Sequence, residues 1–225
     1  MEGQGGDLGR GLSISFDLDG TLTDLAFVDG VWNEGLPSLV AESRGIPLEE
    51  AKRLCMDSYH SEGEASILWY RLSHWLEHFG LDNIDEEELI SGFLDRIRIF
   101  DDAQRAITHF TDLGYPLVLF SNAPRAFLDK EVAQCSLDES FDTIISLPDD
   151  WDMVKSQGEA YLRLKDLIDT DIIHVGDHVR FDCEVPRGAG LQAFHIWRGK
   201  GPRLEDSLDS LDQFVGRIIR DQSHP

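Results

Sequence analysis

Apolar positions along the chain fall into two alternating rhythms. Short runs rich in Ile, Val, Leu and Phe occupy residues 12–16, 117–120, 143–146, 172–175 and 192–196. Between them, apolar positions recur every three or four residues, which predicts helices over 102–113, 125–135, 156–168, 181–189 and about 208–219. Strand-sized runs separated by helices predict an α/β fold, a Rossmann-like parallel sheet covered on both faces.

The alternation is interrupted over residues 24–98, where only helical periodicity is present. Trp32, Leu36, Leu39 and Val40 make one stripe. Leu48, Ala51, Leu54 and Cys55 make a second, with Pro47 expected as its first helical residue. Leu68, Leu72, Trp75, Leu76 and Phe79 form a third, and Ile90, Phe93, Leu94 and Ile97 a fourth. Four short helices inserted after the first strand predict a small helical cap over 24–98. It hangs on linkers near 23–27 and 99–102, with residues 1–23 and 99–225 forming the catalytic core. Trp32, Tyr59, His60, Trp69 and Tyr70 are candidates to line the space above the sheet, though helical spacing does not distinguish pocket from core.

Composition narrows the class. A chain of 225 residues, 41% of them hydrophobic, suits one large domain or one domain with an insert. No apolar run approaches the ~18 residues of a membrane span. Residues 1–11 are glycine-rich without a basic region and apolar core, so they read as a flexible leader rather than a secretory signal. Cys55, Cys135 and Cys183 are odd in number and far apart, which fits no disulfide framework or zinc knuckle and suits a reducing cytoplasm. The net charge of −23 disfavours nucleic acid and anionic membranes as partners. It reads as a solvated acidic surface, with salt adaptation as the alternative. Oligomeric state is not readable. Only five lysines are present, so a lysine needed for chemistry is Lys52, Lys130, Lys155, Lys165 or Lys200.

Candidate chemistry gathers where the predicted strands end. Asp17 and Asp19 follow the first strand in Phe16-Asp17-Leu18-Asp19-Gly20-Thr21-Leu22, a pair suited to holding a divalent cation beside a nucleophile. Ser121 and Asn122 follow the second strand, ahead of a helix, and suit an oxyanion or phosphate cradle. Lys155 follows the third. Asp177 closes the fourth and Asp182 lies five residues on, two more oxygen ligands for a hard cation. In open parallel sheets ligands bind at this carboxyl edge. Several features have plainer readings: Ser121 and Asp182 as helix caps, Lys155 as a solvated lysine, and His174 as a packed strand residue. His178 is a candidate site wall. His74, Glu77 and His78 match an H-x-x-E-H zinc pattern but lack an evident third ligand, and read as a capping-helix surface. Arg198, Lys200 and Arg203 read as an ordinary basic loop or as help for an anionic substrate.

In this order, F-D-L-D-G-T-L, S-N, a lone lysine and G-D-x-x-x-x-D resemble the four motifs of the haloacid dehalogenase-like hydrolase superfamily, over residues 13–196. The helical insert is similar to that family's C1-type cap. The resemblance implies a Mg²⁺-dependent phosphatase acting on a small phosphorylated metabolite. Asp17 would be the nucleophile that forms an aspartyl-phosphate, and Asp19 the acid that protonates the leaving oxygen and then activates water. Ser121, Asn122, Gly20 and Lys155 would hold the phosphoryl group. Asp17, the carbonyl of Asp19, Asp177 and Asp182 would hold the metal. A phosphosugar mutase and a 2-haloacid dehalogenase share the fold and remain alternatives, as does a phosphonoacetaldehyde hydrolase, for which Lys52 is the one lysine in the cap. The non-catalytic alternative is a phosphate-accepting regulatory or binding protein.

Overall fold

Five strands form one parallel sheet: β1 (Leu12–Phe16), β2 (Leu117–Ser121), β3 (Thr143–Ser146), β4 (Asp171–Gly176) and β5 (Gln192–His195). Their order is β3-β2-β1-β4-β5, in a computed structural model that describes residues 11–222. The leader expected at residues 1–11 therefore lies outside the described residues, except for Gly11. Phe16 on central β1 pairs with Leu119 of β2 on one side and Val175 of β4 on the other. Successive connections run to one side of β1 and then to the other. That makes its carboxyl end the topological switch point, where a crevice opens between strand ends.

All five β1 residues are buried, as expected of a strand covered on both faces. Its two serines do not break the pattern because each has a partner: Ser13 meets the Thr170 hydroxyl at 2.7 Å, and Ser15 meets His174 Nδ1 at 2.9 Å. On one face α6 (Asp101–Asp112) and α10 (Leu211–Gln222) pack together. There Phe16 sits with Phe110, Phe141 and Phe214 at centroid distances of 6.1, 6.0 and 6.1 Å. On the other face α8 (Gly158–Leu167) brings Tyr161 against Phe120 at 5.1 Å, within a second cluster that includes Val118, Ile145 and Leu164. Helix α7 (Arg125–Gln134) follows β2. The helix expected over 181–189 is a π-helical segment, Val179–Glu184, running into the short α9 (Val185–Gly188).

The segment between β1 and β2 is helical throughout, as its periodicity predicts, but more divided. Helix α1 (Ala26–Gly30) passes through a π-turn, Val31–Gly35, into α2 (Leu36–Arg44), which stops at Gly45 in the left-handed region, φ +62°. Pro47 is the cap before α3 (Leu48–Glu62), not its first residue, because its ψ of 145° is extended. The third stripe splits into a 3₁₀ turn, Ile67–Tyr70, and α4 (Leu72–Phe79), since Arg71 is extended. Leu68 is consequently exposed, while Trp75, Leu76 and Phe79 are buried. The fourth splits into α5 (Glu86–Ser91), capped by Asp85 on the Glu87 amide at 2.9 Å, and a 3₁₀ turn, Leu94–Arg96. The two connecting segments pair with each other. The Asp24 amide donates to the Arg98 carbonyl and the Phe100 amide to the Leu22 carbonyl, both at 2.9 Å. The inserted helices are thus joined to the sheet through one narrow two-stranded neck.

Candidate active site

Asp17 sits directly past β1, its amide donating to the Val175 carbonyl at 2.9 Å. Its carboxylate is buried and held from two sides. The Thr21 hydroxyl donates to Oδ2 at 3.1 Å, and Lys155 Nζ donates to Oδ1 at 2.5 Å. Lys155 also donates to Asp182 Oδ1 at 2.7 Å and is only 2% exposed. The solvated-lysine reading of Lys155 is thereby excluded. Asn122 places the lysine loop: its Oδ1 accepts the Lys155 backbone amide at 2.9 Å, while its Nδ2 donates to the Tyr70 hydroxyl at 2.9 Å. Ser121 Oγ accepts the Ala123 amide at 2.9 Å and lines the same cavity.

Two glycines let the strand ends approach this closely. A Cβ on Gly20 would lie 2.2 Å from Asp177 Oδ2, and the residue holds φ +79°. A Cβ on Gly176 would lie 2.3 Å from Asp182 Cγ. Carboxylate oxygens of Asp17, Asp177 and Asp182 fall within 4.8 Å of one another. His195 binds the Asp177 carbonyl through Nε2 at 2.8 Å and the Ser207 hydroxyl through Nδ1 at 2.6 Å. Asp182 accepts the His178 amide at 3.0 Å and lies 3.1 Å from His174 Nε2. His174 is therefore a buried strand residue, as expected, but one bonded to the site.

The electrostatics follow from crowding acids out of water. Burial raises Asp17; Lys155 opposes this and Asp182 adds to it. Burial, and then the charges of Asp17 and Asp182, push Asp177 far above the carboxylate range. Asp19 is lifted to about 7, first by burial and then by the Asp17 charge. Asp182 moves the other way, because Lys155 and His174 together outweigh its burial. Lys155 is raised: burial pulls it down, and its two carboxylate partners more than restore it.

These groups open into a cavity of about 450 Å³ lined by Asp17, Asp19, Ser121, Asn122, Lys155, Asp177 and Asp182. All five candidate cap residues, Trp32, Tyr59, His60, Trp69 and Tyr70, line it too, as does His178. Gly20 does not; it stands behind Asp177. The Asp19 carboxyl lies outside the three-acid cluster, leaving its backbone carbonyl as the ligand atom the sequence reading assigned to it. None of the three basic loop residues lines the cavity, and the two arginines are engaged elsewhere. Arg198 is tied to Asp102 and to the Thr21 carbonyl, both at 2.7 Å, and Arg203 to Asp209 at 2.8 Å. His74 and His78 belong to no metal-sized group among the described residues, and His78 bonds Ser58 at 3.3 Å.

Sequence reasoning missed Glu131, Asp29, Glu64, Phe127 and Phe181. Glu131 is wholly buried on α7, and burial, followed by the charge of Asp19, pushes its carboxyl well above the usual carboxylate range. A lone glutamate in Asp-Lys-Glu-Val reads as helix surface, and no signal in the chain marks it otherwise. Phe127 is reached only through the fold, where it stacks on Trp32 at 5.7 Å and 12°.

A family model described as haloacid dehalogenase-like hydrolase matches residues 13–190. The chain belongs to this family. It is accordingly a hydrolase, and its motif residues surround the cavity just described. A GMP/IMP nucleotidase of Escherichia coli (strain K12) is 34% identical over 70 residues, and one of Shigella flexneri matches equally. The match covers 31% of this chain and 31% of the length of those relatives. A HAD phosphatase from Thermococcus onnurineus has the same fold, with a TM-score of 0.80 at 19% identity over 92% of this chain and 97% of that one. A putative HAD-hydrolase from Bacillus subtilis, bound to magnesium, superposes with a TM-score of 0.68 at 16% identity, covering 93% and 99%. A 2-haloacid dehalogenase from Pseudomonas syringae pv. Tomato superposes with a TM-score of 0.61 at 23% identity, covering 93% and 98%. No helix among the described residues is long and apolar enough to cross a membrane.

Proposed function

We propose that this hydrolase is a Mg²⁺-dependent phosphomonoesterase acting on a small phosphorylated metabolite through an aspartyl-phosphate at Asp17. The observation that carries the reading is the second acid. Asp19 lines the same cavity two residues from Asp17, and its environment keeps it protonated up to about pH 7. A leaving alkoxide needs a proton donor with such a pKa. A halide does not, which favours ester hydrolysis over 2-haloacid chemistry.

The donor set fits a hard divalent cation. Asp17, Asp177 and Asp182 offer only oxygen, with ligand atoms within 4.8 Å of one another, the donor chemistry a hard divalent cation prefers. Their crowded charges exceed what Lys155 alone neutralises. When bound, the cation would neutralise charge on the phosphoryl oxygens and on the carboxylates around it. The protein side chains do the rest. Lys155 and Ser121 hold phosphoryl oxygens. An Asp17 oxygen attacks phosphorus, the bond to the leaving oxygen breaks, and the Asp19 proton passes to that oxygen. Water then gives a proton to Asp19 as it attacks phosphorus, and the bond to Asp17 breaks to release phosphate.

Residues 24–98 are proposed to act as the cap, closing the cavity against water through contacts such as Tyr70 with Asn122 and His178 with Glu64. The nucleotidase relatives make nucleoside monophosphates the first substrates to try. The test is phosphate release from a panel of phosphorylated metabolites, with and without Mg²⁺, by the wild type and Asp17→Asn. Loss of release on chelation and in the variant is the expected result. Undiminished release by Asp17→Asn rejects the mechanism.

A further inference from the structure

Apart from its catalytic groups, the cavity wall has an unusual charge balance. Its outer part is aromatic: Trp32 and Phe127 stack together, Tyr59 meets Trp32 and Trp69 edge to face at 6.0 and 5.9 Å, and Phe181 carries His178 on its face at 4.1 Å. Two carboxylates stand in this wall, Asp29 from α1 and Glu64 from the turn that follows α3. Among the described residues the single lysine or arginine in the lining is Lys155, and it is already bound to Asp17 and Asp182. The cations that could serve a second anionic group point elsewhere. Arg96 is held by Glu34, Arg71 by Asp152 and the Pro148 carbonyl, and Arg198 by Asp102 and the Thr21 carbonyl. Lys200 acts on the charge of Asp29 without lining the cavity.

We propose that this outer wall is a charge filter. Asp29 and Glu64 admit leaving groups that are uncharged and carry a planar ring, and repel those with a second anionic group. The inference rests on the phosphomonoesterase reading and says which esters that site takes. An anionic tail would enter a wall with two carboxylates and, among the described residues, no lysine or arginine besides the engaged Lys155, so that no ammonium or guanidinium in the lining compensates its lost hydration. A flat neutral ring meets aromatic faces in a space of about 450 Å³, within the ordinary range for small-ligand sites. The filter disfavours the bisphosphates a phosphosugar mutase must handle and the carboxylate a haloacid dehalogenase must bind.

The test compares kcat/KM within matched pairs differing only by one anionic group. The pairs are phenyl phosphate against 4-carboxyphenyl phosphate, a nucleoside 5′-monophosphate against its 3′,5′-bisphosphate, and glycerol 3-phosphate against 3-phosphoglycerate. The first two pairs separate an aryl ring from a nucleoside as the preferred group; the third lacks a ring. The wild type should prefer the uncharged member of each pair by at least about tenfold, the scale of one charge facing another in a partly screened site. The preference should shrink in high salt. In Asp29→Asn, Glu64→Gln and the double variant the ratio should fall toward one, chiefly through a lower KM for the charged member. Equal turnover of paired substrates by the wild type, or ratios unmoved in all three variants, overturns the filter and leaves the phosphatase reading standing. No turnover of any phosphate ester overturns both.

Discussion

Replacing Lys155 with Met should cost about 4 kcal/mol of stability at pH 7, because it strands two buried carboxylates. The Met side chain fills most of the lysine volume, so the loss is electrostatic rather than a cavity. Lys155 is 2% exposed, and its partners Asp17 and Asp182 show side-chain exposures of 10% and 2%. Removing one member of a buried ion pair costs roughly 3–5 kcal/mol, since the remaining charge has neither water nor a partner. Asp182 keeps the His178 amide and His174 as donors, whereas Asp17 keeps only the Thr21 hydroxyl, so Asp17 bears most of the cost. At roughly 2–4 °C per kcal/mol for a chain of this size, Tm should fall by about 8–16 °C in metal-free buffer. Lowering the pH to about 5 should narrow the gap, because a stranded carboxylate escapes its penalty by taking a proton. Thermal melts of both proteins at the two pH values measure this. A fall of less than about 3 °C at pH 7, or a gap that widens at low pH, refutes the buried-pair account.

Other expectations follow from individual contacts. Asp19 must hold its proton when the leaving group departs and is lifted to about 7, so kcat/KM should fall about tenfold per pH unit above that value. A pH–rate profile flat to pH 9 contradicts this role. By the same shift, the contribution of Asp19 to stability is fully present below about pH 4 and is lost as pH rises through about 7, since the folded state binds the extra proton. Gly20→Ala drives a methyl group into Asp177 and strains a residue at φ +79°. It should cost about 1–3 kcal/mol and lower affinity for Mg²⁺, read by titration calorimetry. Arg198→Ala frees the buried Asp102 and the Thr21 carbonyl and should lower the urea midpoint by an amount equal to about 2 kcal/mol, whereas an unchanged midpoint argues against the clamp. Tyr70→Phe removes the acceptor for Asn122 and should reduce kcat/KM severalfold without changing global stability by more than about 1 kcal/mol, checked by kinetics beside a melt.

Much of the fold was legible because each strand is a short apolar run bounded by turn residues, and a buried parallel strand has no other signature. Four of the site's elements were legible for a related reason. Asp17, Ser121, Lys155 and Asp177 follow such runs, and topology alone brings strand ends together. Pattern failed where one residue changed the local backbone. Extended Arg71 cut a continuous apolar stripe in two, and Pro47 fell one position outside its helix. It failed again where meaning depends on contact across the chain. Arg198 looks like a free surface cation until its place over the Phe100 ring, 4.0 Å away, is known. Glu131 looks solvated until α7 is seen to turn it inward beside Asp19. Trp32 and Tyr70 were legible as candidates, but helical spacing could not separate wall from core, because residues of both kinds recur with the same period.

The central claim is that phosphate passes through Asp17, and the intermediate can be caught directly. The enzyme with Mg²⁺ and a turned-over phosphate ester is quenched and treated with borohydride, which reduces an acyl phosphate but not a free carboxylate. The peptide containing residue 17 is then read by mass spectrometry. Homoserine in place of Asp17, dependent on substrate and absent when Mg²⁺ is chelated, is the predicted result. Phosphate release with unmodified Asp17, or reduction at another carboxylate, would contradict the account.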